Sequence, residues 1–210
     1  MNSKSTSTKL LIALGGATGS GKTALAIKLA KKHPQLVILS ADSRQIYKKL
    51  DIGTAKLGTP ATDSSLTGKA EPVWIQDNIP QYLIDIAEPN REFTLTQYQT
   101  EAYRLIQACW EANKIPFLVG GTGLYLESII EGYTPVGQPN LDLRAKLESL
   151  SLQHLQNRAE LLSIYLNHSD WNNPRRLVRS IERNGVEPTK NPITDNGHLF
   201  VLNHPWPKQS

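Results

Sequence analysis

The sequence of 210 residues contains a single cysteine, Cys109, and no long apolar run. One cysteine excludes a disulfide within the chain and is typical of proteins in a reducing compartment. Its place in the helical pattern around it indicates a buried position. No stretch approaches the roughly 20 apolar residues that cross a bilayer. Residues 1–9 are polar and lack the apolar centre of a secretory signal. We therefore expect a cytoplasmic protein that does not associate with membranes.

The charge of the chain is unevenly distributed along the sequence. The formal net charge is +4. Residues 51–101 contain eight acidic and three basic side chains, whereas residues 144–190 contain eight basic and five acidic ones. A basic C-terminal part beside an acidic middle is typical of a protein that holds a polyanion on one side. Charge alone is equally compatible with a solvated helix face.

A phosphate-binding loop is the most specific short motif. It follows the apolar run Leu10–Leu14 and precedes the helical pattern Ala24–Lys32. The spacing is that of G-x-x-x-x-G-K-T, and the residues are Gly16, Ala17, Thr18, Gly19, Ser20, Gly21, Lys22 and Thr23. In such a loop, backbone N–H groups surround phosphate oxygens at the positive end of a helix. We expect Lys22 to contact the outer phosphate and the Thr23 hydroxyl to hold Mg²⁺. The loop predicts a bound di- or triphosphate without deciding the reaction.

The order of the elements predicts an α/β fold, a P-loop-type doubly wound parallel sheet with a small basic helical insertion. Besides the first strand, four apolar runs predict strands, and two amphipathic patterns predict helices. The strands are Leu36–Ala41, Tyr82–Ile86, Ile115–Val119 and His198–Leu202, and the helices Thr94–Asn113 and Leu124–Glu131. We expect the sheet domain to comprise residues 1–132 and 198–210. Leu57–Pro72 has no usable periodicity and is interpreted as a surface insertion or a mobile excursion.

The helical insertion is predicted over residues 133–197. It begins with a Pro- and Gly-rich linker at residues 135–139 and continues with helical patterns but no strands. These patterns cover Leu141–Leu150, Leu152–Leu166 and Pro174–Asn184. Arg175, Arg179 and Arg183 would share one stripe of the last helix. Guanidinium groups in that arrangement suit contact with phosphates or an RNA backbone.

Two side chains at strand ends are candidates for chemistry. Asp42 directly follows the second strand and so should lie near the phosphate loop. It could hold Mg²⁺, deprotonate an acceptor hydroxyl, accept a proton from an attacking amine, or cap a helix. Thr122 lies in Gly120-Gly121-Thr122-Gly123, which could face the same phosphates or form a simple turn.

Taken together, the motifs resemble those of the tRNA dimethylallyltransferase (tRNA isopentenyltransferase) family. Five stretches carry the resemblance, and their combination and order are more specific than the phosphate loop alone. They are Gly16–Thr23, Ser40–Tyr47 with Asp51–Lys56, Leu83–Asp85, Leu118–Tyr125 and Asn173–Glu182. The resemblance extends from about Leu10 to Val201 and is poor over Leu57–Pro80.

The resemblance implies transfer of a dimethylallyl group from its diphosphate to the exocyclic amine of an adenine beside the tRNA anticodon. The phosphate loop would then hold the leaving diphosphate with Mg²⁺. Asp42 would be the general base, and Thr122 would bind substrate near the diphosphate. Contact with tRNA would involve Asp42, Ser43, Arg44, Gln45, Arg144, Arg175, Arg176 and Arg179.

The chain also departs from the family pattern at two places. Gln81 and Tyr82 precede the Leu83–Asp85 stretch, where the family usually has histidine. Family members also continue beyond the strand near residue 200 into further helices, so we expect either a shortened monomer or a partner polypeptide that supplies them. Three alternatives stay open: a prenyltransferase acting on free adenine nucleotide, a kinase or NTPase, and a remnant that binds diphosphate or RNA without turnover.

Overall fold

The structure is a computed structural model that describes residues 9–134, 140–186 and 189–202. The chain forms two compact units. The core unit comprises Met1–Gly132 and Asn191–Ser210, and the helical unit comprises Tyr133–Lys190. The second boundary predicted from the sequence lies later, between residues 197 and 198. The expected linker at residues 135–139 and both chain ends lie outside the described residues.

The core unit contains a seven-stranded sheet with the order β3-β4-β5-β2-β6-β1-β9. Its strands are β1 (Leu11–Gly16), β2 (Leu36–Ser40), β3 (Thr59–Asp63), β4 (Glu71–Gln76), β5 (Ile79–Tyr82), β6 (Ile115–Val119) and β9 (Gly197–Leu202). Its helices are α1 (Lys22–Lys32), α2 (Leu95–Glu111) and α3 (Gly123–Ile130). The strands β5, β2, β6, β1 and β9 pair in parallel, whereas β3–β4 and β4–β5 pair antiparallel.

The parallel strands are covered on both faces, which explains their continuous apolar sequences. In β1, Leu11 and Ala13 belong to the apolar cluster that includes α2 and α3. Leu14 belongs to the opposite cluster, with Ala26 and Ile27 of α1. Successive side chains of a strand point to opposite faces, so each strand contributes to two cores. The predicted doubly wound α/β fold is confirmed.

The segment Leu57–Pro72 contains a strand that the sequence pattern did not predict. Thr59–Asp63 forms β3 at the edge of the sheet and pairs in register with β4 through backbone hydrogen bonds. The sequence Thr-Pro-Ala-Thr-Asp lacks an apolar face, since an edge strand needs little burial. Its pairing depends on the backbone, so hydrophobic periodicity did not reveal it.

The strand predicted at Tyr82–Ile86 is misplaced. The observed strand β5 ends at Tyr82, and Leu83 and Asp85 have left-handed φ angles of 63° and 59° that turn the chain out of the sheet. Leu83 and Ile84 are nevertheless fully buried. The apolar run at Leu83 and Ile84 therefore reflects a buried bend and not a strand.

The helical unit contains four helices and a small two-stranded sheet among its described residues. They are α4 (Leu141–Glu148), α5 (Leu152–Leu161), α6 (His168–Trp171) and α7 (Pro174–Glu182), with β7 (Tyr133–Thr134) and β8 (Thr189–Lys190). Each helix begins after an Asn or Ser whose side chain accepts a first-turn N–H, the usual N-cap arrangement. The predicted α5 is too long by about one turn, and α6 and the two strands were not foreseen.

Two expectations from composition can be compared with the structure. Cys109 is fully buried in α2, and burial raises the pKa of its thiol to about 12. A thiol that stays protonated is a packing group and not a nucleophile. Within the described parts of the chain, no helix has the length and apolar character of a membrane span.

We expect Gly120→Ala to destabilise the core unit. A Cβ at this position would lie 2.1 Å from the Ala41 carbonyl oxygen, which is backbone and cannot move without separating β2 from β6. The free energy of unfolding should fall by about 3 kcal/mol in urea denaturation. Gly123→Ala is the control, because its nearest neighbour would be a side-chain atom at 4.0 Å. The control should be neutral or slightly stabilising, and equal losses in both variants would contradict the close approach.

Candidate active site

The phosphate loop lies between β1 and α1, as the motif predicts. Gly19 and Gly21 have φ angles of 80° and 85°, the left-handed region that only glycine adopts readily. Gly21 is the N-cap of α1 and has no side chain to offer, and the first turn of the helix contains no acidic residue. Among the described residues, the first N–H groups of α1 therefore have no side-chain acceptor. This arrangement favours an anion at the helix start.

Lys22 folds back over the loop that precedes it. Its Nζ donates to the Ala17 carbonyl oxygen at 2.6 Å and to Ser20 Oγ at 3.4 Å. Desolvation by burial lowers the pKa of Lys22, and attraction to the Asp42 carboxylate partly opposes this. The ammonium is thus placed at the mouth of the loop, close enough to Asp42 to interact with it. A phosphate bound there would replace weak neutral partners with a charged one.

Asp42 lies just beyond β2 and is half-buried. Its Oδ1 accepts a hydrogen bond from the Arg44 backbone N–H at 2.9 Å. This local bond fixes the orientation of the carboxylate, and no described residue donates to its Oδ2. Asp42 therefore presents an oriented oxygen next to the phosphate loop, which is the requirement for a base acting on a substrate held there.

Thr122 joins the end of β6 to the end of β2. It occupies the N-cap position of α3, yet its hydroxyl does not cap that helix. Instead, Oγ1 accepts the Ser43 backbone N–H at 3.0 Å and donates to Ser43 Oγ at 3.2 Å. The Thr122 N–H in turn donates to the Ala41 carbonyl oxygen at 3.2 Å. Thr122 thus fixes the residue that follows Asp42, and a contact with substrate stays a prediction.

The turn after β6 lies where three strand ends meet. β6 lies between β1 and β2, so the turn after it must pass between the phosphate loop and the Asp42 turn. Gly120 packs against Ala41, and a Cβ on Gly121 would lie 3.6 Å from the Gly16 oxygen and 4.0 Å from Lys22 Nζ. Gly120 is therefore needed for the close approach to β2, a function that the sequence pattern did not reveal, whereas a Cβ on Gly121 would make only ordinary contacts with the phosphate loop.

Gln45, which the resemblance assigns to tRNA contact, has its amide occupied within the core unit. Its Oε1 accepts from Ser40 Oγ at 2.8 Å, and its Nε2 donates to the carbonyl oxygens of Thr54 and Ala55, each at 3.1 Å. The side chain thus connects β2 with the end of the loop that follows. A direct contact of Gln45 with tRNA stays a prediction, whereas its structural role is visible.

Sequence reasoning missed the environment of Lys56. This side chain is fully buried and its Nζ has three oxygen partners, which are Tyr47 O at 2.7 Å, Asp51 Oδ1 at 2.9 Å and Asp85 Oδ1 at 2.5 Å. Trp74 Nε1 donates to Asp85 Oδ2 at 2.6 Å. The signal was present, since Lys56 and Asp85 end two of the motifs quoted above, but only the fold brings them together.

The basic residues of the helical unit fall into two groups. Arg175 and Arg179 are exposed on α7 and form no salt bridge within the described residues. Arg176, also exposed, pairs with Asp170, and the half-buried Arg144 pairs with Glu182 at 2.7 Å. Glu182 also accepts the N–H of Asn140, the N-cap of α4. Arg144 therefore helps to attach α4 to α7, and its contact with tRNA stays a prediction.

A divalent ion would have few protein ligands at this site. In the part of the chain that the structure describes, no cluster of three or more His, Cys, Asp or Glu side chains could hold a metal. The half-buried Thr23 hydroxyl at the start of α1 is a hard oxygen ligand beside the phosphate loop. Mg²⁺ binds through one or two protein oxygens with substrate phosphates and water. The residues fit a metal that arrives with a phosphorylated substrate.

These features define a P-loop α/β protein whose phosphate loop lies near a carboxylate at the end of β2, on the other side of β6. The model of the family described as "IPP transferase" matches residues 45–199. The chain therefore belongs to the IPP transferase family.

Individual relatives of the chain are named tRNA dimethylallyltransferases. A tRNA dimethylallyltransferase from Treponema pallidum (strain Nichols) is 40% identical over 173 residues, which are 80% of this chain and 49% of that protein. One from Picosynechococcus sp. is 48% identical over 141 residues, or 67% of this chain and 42% of that protein. The chain thus spans about half the length of the curated relatives it matches.

Solved structures show the same fold. The full-length tRNA isopentenylpyrophosphate transferase from Bacillus halodurans is 31% identical, with a TM-score of 0.51 over 83% of this chain and 55% of that one. A eukaryotic dimethylallyltransferase, solved in snapshots of its action on tRNA, has a TM-score of 0.63 over 93% of this chain and 48% of its own. At 22% identity, the second likeness concerns the fold alone.

Lys22→Met should weaken binding of inorganic diphosphate with Mg²⁺ by at least about tenfold, because a charge-assisted contact is lost. Isothermal titration calorimetry measures this, and Lys28→Met, an exposed lysine on the same helix, is the control. Because burial lowers the pKa of Lys22, wild-type affinity should decline with rising pH earlier than expected for an exposed lysine. Equal affinity in both variants would contradict the site.

Proposed function

We propose that this protein transfers a dimethylallyl group from dimethylallyl diphosphate to the exocyclic amine of an adenine adjacent to the tRNA anticodon. The observation that carries the proposal is the meeting of a phosphate loop and the oriented Asp42 carboxylate in a member of the IPP transferase family. A cytoplasmic location follows from tRNA as the acceptor.

The reaction forms one C–N bond and breaks one C–O bond. The adenine amine attacks the first carbon of the dimethylallyl group, diphosphate leaves with the bonding electron pair, and the amine loses a proton. Lys22 and the free N–H groups at the start of α1 stabilise the negative charge on the departing diphosphate. Asp42 accepts the amine proton through the carboxylate oxygen that Arg44 does not occupy.

Mg²⁺ would be held by the Thr23 hydroxyl together with diphosphate oxygens. When bound, it neutralises part of the charge of the diphosphate. The Thr122 hydroxyl holds Ser43 and so keeps the Asp42 turn beside the phosphate loop. A hydroxyl has two acceptor lone pairs, so Thr122 retains one for a group of the substrate.

An RNA acceptor is supported by the helical unit. Arg175 and Arg179 present guanidinium groups to solvent on one side of α7, a geometry that binds phosphates without reading sequence. The target adenine of an anticodon loop must leave its stack to reach Asp42, as in other enzymes that modify bases. The basic helical unit thus supplies affinity for the RNA, and the strand ends of the core unit supply the chemistry.

Asp42→Asn should lower kcat by 10²- to 10⁴-fold, because an amide cannot accept the amine proton. The assay incubates the protein with dimethylallyl diphosphate, Mg²⁺ and unmodified tRNA and measures prenylated adenosine by mass spectrometry. KM for tRNA and affinity for diphosphate should change little.

Asp77→Asn is the matched control, since Asp77 is an exposed carboxylate paired with Lys31. It should keep wild-type kcat. A wild-type chain that binds diphosphate and tRNA without turnover would overturn the proposed activity and indicate a binding remnant. Comparable loss of kcat in both variants would remove Asp42 from its role.

Arg175→Ala and Arg179→Ala should each raise KM for tRNA about fivefold and reduce the slope of log affinity against log salt concentration by about one. Filter binding from 50 to 200 mM salt measures the slope. Arg158→Ala, an exposed arginine on α5, is the control. AMP tests the acceptor class, because turnover of AMP equal to that of tRNA would favour a free-nucleotide prenyltransferase.

A further inference from the structure

The loop that follows Asp42 has a structure that its sequence does not explain. Residues 47–56, here called the clamped loop, contain no helix or strand apart from an isolated bridge between Tyr47 and Ala87. Three of its residues have left-handed backbones, at φ angles of 63° for Lys49, 77° for Gly53 and 53° for Ala55. For residues with a side chain this conformation costs free energy and persists only where surrounding contacts impose it.

The contacts that impose it converge on Lys56. An ammonium group has three protons, and the three oxygen partners of Lys56 account for all of them, at the start of the loop (Tyr47 O), near its tip (Asp51) and outside it (Asp85). The Lys56 side chain has no exposed surface. Since a buried charge without partners is very costly, Lys56 holds the loop in one closed conformation.

The clamped loop is also tied to the candidate active site. The Gln45 side chain donates to the carbonyl oxygens of Thr54 and Ala55, so the end of the loop lies against the turn that begins at Asp42. The carbonyl oxygens of Gln45 and Ile46 accept hydrogen bonds from the backbone N–H groups of Asp85 and Ala87. The loop is therefore a fixed extension of the Asp42 turn.

The tip of this fixed loop is apolar and fully exposed. Thr54 Oγ1 donates to the Leu50 carbonyl oxygen at 2.6 Å and closes the tip. Ile52 at the apex is 99% exposed. Single exposed apolar residues are common on protein surfaces. Here, however, the buried Lys56 contacts and the left-handed φ angles fix Ile52 in an exposed position. We take this as an indication that another molecule covers Ile52.

The charge around the tip identifies the class of that molecule. Three cations are exposed on the same segment, namely Arg44, Lys48 and Lys49. Of these three, only Lys48 has a salt-bridge partner within the described residues, which is Glu88. An apolar side chain flanked by cations is typical of nucleic-acid-binding proteins that insert a wedge between bases. A flipped base leaves a gap in its stack that such a wedge could fill.

We propose that Ile52, held by the Lys56 clamp, contacts the bases of the acceptor RNA next to the target adenine. The inference rests on the proposed function, because it takes tRNA as the acceptor. Lys56 is a positioning residue that acts through the loop, and Ile52 is the contact. Nothing in the reaction itself requires Ile52, so its loss should change recognition and not the intrinsic chemistry.

Ile52→Ala should raise both Kd and KM for tRNA about fivefold or more, as expected when a contact with a base is removed. KM for dimethylallyl diphosphate and the thermal midpoint should not change, because the side chain touches little within the protein. The salt slope of tRNA binding should also stay constant, since no phosphate contact is lost. The unchanged salt slope distinguishes Ile52→Ala from the variants of Arg175 and Arg179, for which the slope should fall. Ile52→Met, which keeps an apolar side chain, should retain most of the affinity.

Two further variants complete the design. Val201→Ala truncates another exposed apolar residue of the core unit, 59% exposed, and should bind tRNA normally. Lys56→Met should weaken tRNA binding through the loop, and combining it with Ile52→Ala should add little. If Lys56→Met fails to fold, Ile52→Ala still decides the proposal. With 2-aminopurine at the target adenine, the fluorescence rise on binding should be smaller for Ile52→Ala than for wild type.

The outcomes separate this inference from the proposed function. If the wild-type protein prenylates tRNA and Ile52→Ala binds tRNA with unchanged affinity, the contact is overturned and the activity stands. Wild-type binding of tRNA without turnover, but weaker binding by Ile52→Ala, overturns the activity and supports the contact. A wild-type chain that neither binds nor modifies tRNA overturns both. Loss of binding to anionic phosphatidylserine vesicles in Ile52→Ala, with tRNA binding intact, would assign the tip to a lipid surface instead.

Discussion

The close approach of β6 to its two neighbours is the constraint on which the candidate site depends. β6 lies between β1 and β2, and its Gly120 backbone packs directly against Ala41. Without a side chain there, the turn after β6 passes between the phosphate loop and the Asp42 turn and brings Thr122 within reach of Ser43. The carboxyl ends of parallel strands form one edge, but here Gly120 decides how closely the groups at that edge approach one another.

Around this edge, charges are positioned by neutral groups. The Ala17 carbonyl oxygen receives Lys22, a backbone N–H orients Asp42, and the free N–H groups of α1 remain available to an anion. Such an arrangement is preorganised for a charged ligand, because binding adds strong contacts without first breaking strong ones. The Lys56 clamp does the same for the adjoining loop and uses a buried ion pair for geometry, a role better supported for such pairs than net stability.

Much of the fold could be predicted because its elements have strong local signals. β6 and the start of α7 fall where the sequence placed them, since the first is a continuous apolar run and the second begins with Asn173 and Pro174. The failures have a common cause. β3 is held by backbone pairing at a sheet edge, and the bend at Leu83 is buried without being extended. Hydrophobic periodicity reports burial, so it misses unburied strands and mistakes buried bends for strands.

The sequence by itself determined the phosphate loop, the sheet that carries it and the candidacy of Asp42 and Thr122, because these depend on short motifs joined to regular elements. Only the tertiary structure decided which polar groups are free to act. The resemblance assigns Gln45 and Arg144 to tRNA contact, and the structure adds that their side chains bond to Thr54, Ala55 and Glu182. The motifs contain Lys56 and Asp85, but only the fold shows that Lys56 joins Tyr47 and Asp85, which are 38 residues apart in the chain. Contacts between distant residues arise from packing, and a linear pattern does not contain them.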